Sequence, residues 1–183
     1  MLGILAKKRI TDAQVANLFV NATLEAVEKG WPVVAQYIQD CPEFVTRPEI
    51  DDQDFGKFLM VVVSANFEYI PAYFNAGHDR EIIRQCIVKF AHVFDLEPEK
   101  FASKVKAYRS LLKRINAPSK NPLYSMAKGI FCKYELNQYQ EEYFRTLKSS
   151  NPIFLKNMDE LMKNFIWDWE NFRAKYKVKD LVG

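Results

Sequence analysis

Two histidines are each followed, three residues later, by a carboxylate, and this spacing places both side chains on one face of a helix. The pairs are His78 with Glu81 and His92 with Asp95. Helical bundles can build metal sites from such pairs. On one helix, however, histidines fourteen residues apart are separated by about 21 Å. They cannot bind the same ion, and we therefore predict no metal site and no cofactor.

The other chemistry-bearing residue types also lack the spacing that catalysis needs. Cys41, Cys86 and Cys132 are far apart and form no CxxC pair, which argues against a disulfide framework or a zinc knuckle. The six glycines are too dispersed for a phosphate-binding loop, and neither GxSxG nor HExxH occurs. We predict no catalytic residue, and the sequence favours a non-enzymatic protein.

One carboxylate stands among aromatic residues in the most apolar part of the chain. Glu68 is surrounded in sequence by Phe67, Tyr69, Tyr73 and Phe74. A partly buried Glu can serve as a general base, although one carboxylate alone defines no reaction. This zone provides a hypothesis of a small-molecule or enzyme site.

The strongest signal is a run of positive charge, the basic segment Lys100–Tyr134, which contains no acidic residue. It carries nine basic side chains, whereas the rest of the chain has 17 basic and 23 acidic residues. Segregated charge is evidence about binding partners. The candidate partner-binding residues are Lys100, Lys104, Lys106, Arg109, Lys113, Arg114, Lys120, Tyr124 and Lys128.

Three interpretations of the basic segment remain open. In the first, it binds a protein partner or a second copy of the chain. In the second, it binds nucleic acid or anionic lipid. Nucleic acid is suggested by Tyr108, Tyr124, Phe131 and Tyr134, which interleave aromatic rings with the cations. In the third, it is a solvated helix face, or pairs with the acidic connection 40–54.

Helical signals account for nearly the whole chain. Thr11 and Gln14 form a capping box, and the spacing of apolar residues predicts a buried helix over residues 55–74 and an amphipathic one over 98–115. We predict an all-α fold of six to eight helices in a single bundle-like domain over residues 1–183, with residues 1–10 as a loose N-terminal arm.

Two finer predictions concern the ends of the chain. Gly30 and Pro32 indicate that the first helix ends at Gly30 and that a second runs from Pro32 to about Gln39. Apolar residues from Met158 to Tyr176 predict one long final helix. On that helix Trp167 would lie about 160° from the apolar seam, which makes it an interface candidate.

The longest uninterrupted apolar run, Phe58–Val63, has six residues, far short of the roughly 20 that a membrane-spanning helix requires. The first residues place their positive charges after the apolar stretch, the reverse of a secretory signal. We expect a cytoplasmic protein with no transmembrane segment.

Overall fold

Helices make up most of the computed structural model, which describes residues 7–179 of the chain. Two three-residue strands and two 3₁₀ turns accompany them. The predicted all-α class and its compact single-domain form are confirmed. The elements of the described residues are β1 (Lys8–Ile10), α1 (Asp12–Gln39), α2 (Gly56–Tyr73), α3 (His78–Val93), α4 (Pro98–Asn116), α5 (Pro122–Lys133), a 3₁₀ turn (Leu136–Tyr139), α6 (Glu142–Leu147), α7 (Pro152–Met162), a second 3₁₀ turn (Lys163–Phe165), α8 (Trp169–Lys175) and β2 (Tyr176–Val178).

The centre of the fold is α2, which contacts α1, α3, α4, α5 and α8. Every residue from Phe58 to Phe67 is buried, which is the pattern of a helix surrounded by other helices. Val61, Val62 and Val63 are β-branched, yet tertiary packing on all sides holds them in the helix. Apolar residues from all the neighbouring helices complete one continuous core around α2.

The first helix differs from the prediction, because α1 continues through Gly30 and Pro32 as one helix of 28 residues. Its start is as predicted, with the Thr11–Gln14 capping box formed in both directions. Pro32 removes one hydrogen bond from the helix ladder, and the buried Trp31 next to it anchors that turn in the core.

The role of Gly30 is to let an aromatic ring approach the helix. A Cβ atom at this position would lie 2.5 Å from Cζ of Phe165. The Phe165 ring packs edge-on against Phe58 of α2, with 4.8 Å between the ring centroids. Gly30 is therefore a packing residue in the middle of α1, and it does not end the helix.

The prediction of one unbroken final helix is also wrong. The chain leaves α7 at Met162, passes through a 3₁₀ turn and an extended stretch, and begins α8 at Trp169. Asn66 of α2, fully buried, holds this break in place. Its Nδ2 donates to the carbonyl oxygen of Phe165 (2.8 Å), and its Oδ1 accepts the backbone N–H of Trp167 (2.9 Å).

The two ends of the described chain meet in the parallel strand pair β1 and β2, where Ile10 lies opposite Val178. Both of these side chains are buried. The predicted N-terminal arm falls largely on residues 1–6, which lie outside the described residues, whereas Lys8–Ile10 form the strand.

The packing of Gly30 leads to a stability prediction. Alanine is the better helix former by about 1 kcal/mol, but its methyl group would overlap the Phe165 ring. We expect Gly30→Ala to lower the free energy of unfolding by roughly 1–3 kcal/mol in urea denaturation. The double variant Gly30→Ala/Phe165→Leu should recover part of that loss. A stabilising effect of Gly30→Ala alone would contradict the packing role.

Asn66 gives a second stability prediction. Asn66→Ala leaves a buried N–H and a buried carbonyl without partners, and we expect a loss of about 2–4 kcal/mol in thermal or urea unfolding. Asn164→Ala is the matched control, because its amide makes one exposed bond to Leu161 in the same break. Equal effects of the two variants would show that Asn66 does not hold the break.

Candidate functional site

Helix α4 turns its apolar side inward and its charged side to solvent. Phe101, Val105 and Leu112 are buried against the core, as the apolar stripe predicts. Four exposed cations lie on different sides of the helix: Lys104 lines a groove beside α2, and Lys106, about 160° away around the helix axis, lines one beside α3. The loop after α4 adds one more cation. We call the exposed set the basic face: Lys100, Lys104, Lys106, Arg114 and Lys120.

The basic face has no carboxylate partner among residues 7–179, because no ion pair of the described chain includes any of its members. The acidic connection 40–54 makes its own contacts instead. Arg47 pairs with Asp40 at 3.3 Å, and Asp54 accepts the N–H of Gly56 at the start of α2. Five cations are therefore unneutralised within the described residues.

Two candidate residues lie apart from the basic face, since Glu68 binds both. Arg109 donates its Nε–H to Oε1 of Glu68, and Lys113 Nζ lies 3.3 Å from Oε2. The side chains of Arg109 and Glu68 are only 31% and 24% exposed. Sequence reasoning missed this contact, because 41 residues separate Glu68 from Arg109 and no local pattern joins them.

The last two cations of the basic segment face other groups. Lys133 places its Nζ 4.1 Å from the centroid of the Tyr108 ring, a cation–π contact. Lys128, partly buried on α5, is close enough to Asp159 of α7 for its charge to act on that carboxyl group. Neither side chain extends the basic face.

The aromatic residues of the basic segment are mostly engaged in the interior. Phe131 is buried, and Tyr134 stacks on Trp31 with centroids 4.9 Å apart while its hydroxyl accepts the N–H of Phe58. Tyr108 lies under Lys133. Tyr124, at 49% exposure, is the member of this set that presents its ring to solvent.

The predicted aromatic zone around Glu68 is divided between two environments. Phe67 and Phe74 are core residues, with Phe67 packed on Phe19 and Phe74 edge-on to Trp169. Tyr69 is partly buried, and burial raises the pKa of its hydroxyl. Glu68 instead faces the cations of α4, so the two Phe rings do not surround it.

The outward orientation predicted for Trp167 is wrong, because the helix on which it rested is broken. The ring is partly buried and packs against Phe19, Trp169 and Phe172, with centroids 5.7, 5.8 and 6.0 Å away. Its Nε1 is buried without a hydrogen-bond partner in the described chain. Trp167 belongs to an intramolecular aromatic cluster, which leaves it little free surface for an interface.

The two histidines have different surroundings. Nδ1 of His78, at the start of α3, lies 2.8 Å from Oδ1 of Asp12, at the start of α1. This partly buried pair joins two helix N-termini, while Glu81 instead accepts hydrogen bonds from Arg84. His92 is exposed. Within residues 7–179, no three His, Cys, Asp or Glu side chains converge in a metal-binding group.

Of the cysteines, Cys86 is buried on α3 as predicted, and burial raises the pKa of its thiol. That shift opposes thiolate formation at neutral pH. Cys41 is also buried, whereas Cys132 is exposed at the end of α5.

Comparison with known proteins found no matching family model, no matching curated protein and no matching solved structure. No helix of the described residues is both long and apolar enough to cross a lipid bilayer. The class that the fold defines is a compact all-α single domain, and its helix α4 carries exposed cations.

The carboxyl group of Asp159 gives a pH-dependent prediction. Burial raises its pKa to about 6, and its Oδ1 has no hydrogen-bond partner in the described chain. The folded protein therefore holds this proton more tightly than the unfolded chain does, so ionisation lowers stability as the pH rises from about 4 to 6.

We expect Asp159→Asn to raise the free energy of unfolding at pH 7 by about 1 kcal/mol, a value reduced by partial solvent screening. The gain should disappear at pH 4, where the wild-type carboxyl group is protonated. Urea denaturation at both pH values measures the gain, and Glu28→Gln is the control, because Glu28 is exposed and lies in α1, away from Asp159. A gain that is the same at pH 4 and pH 7 would contradict the role of ionisation.

Proposed function

We propose that this chain is a non-enzymatic interaction module that binds an acidic protein partner through the basic face. The observation that supports the proposal is the set of five exposed cations without an ion-pair partner in residues 7–179. Unpaired charges of one sign attract and orient a partner of the opposite sign. The proposed setting is the cytoplasm, which suits the free thiols of Cys41 and Cys86.

The packing of the aromatic rings favours a protein over a nucleic acid. Single-stranded nucleic acids are bound by cationic grooves in which bases stack on exposed rings. Here Phe131 and Tyr134 are committed to the core, and Lys133 covers Tyr108. Tyr124 alone would provide a stacking surface among the aromatic residues of the basic segment. An acidic protein surface needs the cations but not the rings.

A second copy of the chain is the other candidate partner, and one feature of the surface favours it. Asp54, at the end of the acidic connection, and Lys104 of α4 line the same groove of about 410 Å³. Adjacent acidic and basic surfaces are self-complementary across a two-fold axis, because each copy offers both signs. Homodimerisation would then use the same face.

Charge reversal on α4 tests the proposal. We expect Lys104→Glu/Arg114→Glu to weaken binding of fluorescent poly-L-glutamate at least about tenfold in anisotropy titrations at low salt. Lys156→Glu/Lys175→Glu is the matched control, since it makes the same charge change at two exposed lysines outside the basic segment. The control should bind like the wild type.

The same anisotropy titration is repeated with a single-stranded oligonucleotide that carries the same charge as the poly-L-glutamate. Separately, light scattering at low and high salt measures the molar mass of the protein in solution. Tighter binding of the oligonucleotide than of poly-L-glutamate would favour the nucleic-acid hypothesis. A dimer that dissociates in salt and in the α4 variant would identify a second copy as the partner. Equal losses in the α4 variant and the control would refute the basic face as the binding surface.

A further inference from the structure

A cavity of about 330 Å³ lies between α2, α4 and the loop that connects α4 to α5. Its volume is within the range of small-molecule sites. Leu112, Pro118 and Pro122 contribute apolar wall. The polar residues that line it are Ser64, Glu68, Arg109, Lys113, Asn116, Ser119, Lys120 and Ser125.

The cavity carries excess positive charge. Arg109, Lys113 and Lys120 provide three cations, and Glu68 provides one carboxylate, so the lining has a net charge of +2. Glu68 accepts a hydrogen bond from the Nε–H of Arg109. The terminal guanidinium nitrogens of Arg109 have no hydrogen-bond acceptor in the described chain. These N–H groups form the planar donor set that proteins use for phosphate and carboxylate groups.

Two buried polar atoms in the cavity wall have no hydrogen-bond partner within residues 7–179. They are Oγ of Ser64, a residue with no exposed surface, and Oδ1 of Asn116, a residue that is 4% exposed. The amide orientation of Asn116 is fixed, because its Nδ2 donates to the carbonyl oxygen of Asn121 at 2.9 Å. A buried polar atom without a partner is costly, and a ligand hydroxyl group that reached either atom would supply the missing hydrogen bond.

From this arrangement we propose that the cavity binds a small phosphate monoester that also carries a hydroxyl group. A phosphate monoester has a charge near −2 at neutral pH, which matches the lining. Its oxygens accept from Arg109, Lys113 and Lys120, and its hydroxyl group donates to Oδ1 of Asn116 and accepts from Ser64. This site shares Lys120 with the basic face, whereas Ser64 and Asn116 do not belong to the basic face, so variants at these two residues separate the two proposals.

Thermal unfolding with glycerol 3-phosphate as the probe tests this proposal. We expect a saturable rise in the melting temperature that exceeds the effects of succinate, glycerol and sodium chloride at matched ionic strength. Ser64→Ala and Lys120→Ala should each weaken the apparent affinity about tenfold. Lys104→Ala is the control for Lys120→Ala, because it also removes one positive charge but from a residue that does not line this cavity. It should leave the affinity for glycerol 3-phosphate unchanged.

Folding defects can be separated from loss of binding. The Ser64 hydroxyl has no partner in the ligand-free protein, so Ser64→Ala should unfold at the same or a higher temperature than the wild type without ligand. No saturable stabilisation, or full affinity in both Ser64→Ala and Lys120→Ala, would overturn the proposal. Poly-L-glutamate binding should be unaffected by Ser64→Ala, so failure here is distinguishable from failure of the proposed partner binding.

Discussion

The burial of α2 on all sides is the constraint on which the rest of the structure depends. A helix that contacts five others can carry few polar side chains, and each one needs a partner. Asn66 binds the backbone between the second 3₁₀ turn and α8, and Glu68 binds Arg109 and Lys113. Ser64 has no hydrogen-bond partner in the described chain. Asn66 and Glu68 therefore help to determine how the C-terminal segment and α4 pack on the centre.

The contact with Glu68 also distinguishes two cations of α4 from the others, because only Arg109 and Lys113 pair with it among the described residues. Arg109 and Lys113 lie on the side of α4 that faces α2, where the half-buried carboxylate neutralises them in part. The ion pair itself adds modest stability, because desolvation opposes the attraction. Its larger consequence is that Arg109 and Lys113 are paired beside the cavity, whereas the cations of the basic face have no carboxylate partner within residues 7–179. Lys120 belongs to both proposed sites.

Local patterns in the sequence predicted the local features well. The capping box at Thr11, the buried helix through Val61–Val63 and the apolar stripe of α4 depend on residues within a few turns of each other, and all three are present. The errors at Gly30 and Trp167 have one cause. Phe165 fills the space beside Gly30, and Asn66 holds the backbone of Phe165 and Trp167. Such contacts join residues about 100 or more positions apart in sequence and leave no periodic signal. The pairing of Glu68 with Arg109, 41 residues apart, is hidden for the same reason.

The central claim is that the outer side of α4 is the binding surface, and nuclear magnetic resonance tests it most directly. Backbone amide shifts of the isotopically labelled chain can be followed during titration with poly-L-glutamate at low salt. We expect the largest shifts to fall on residues 100–120 and to return to their initial positions when salt is added. Largest shifts on α6, α7 or α8, or no shifts anywhere, would contradict it.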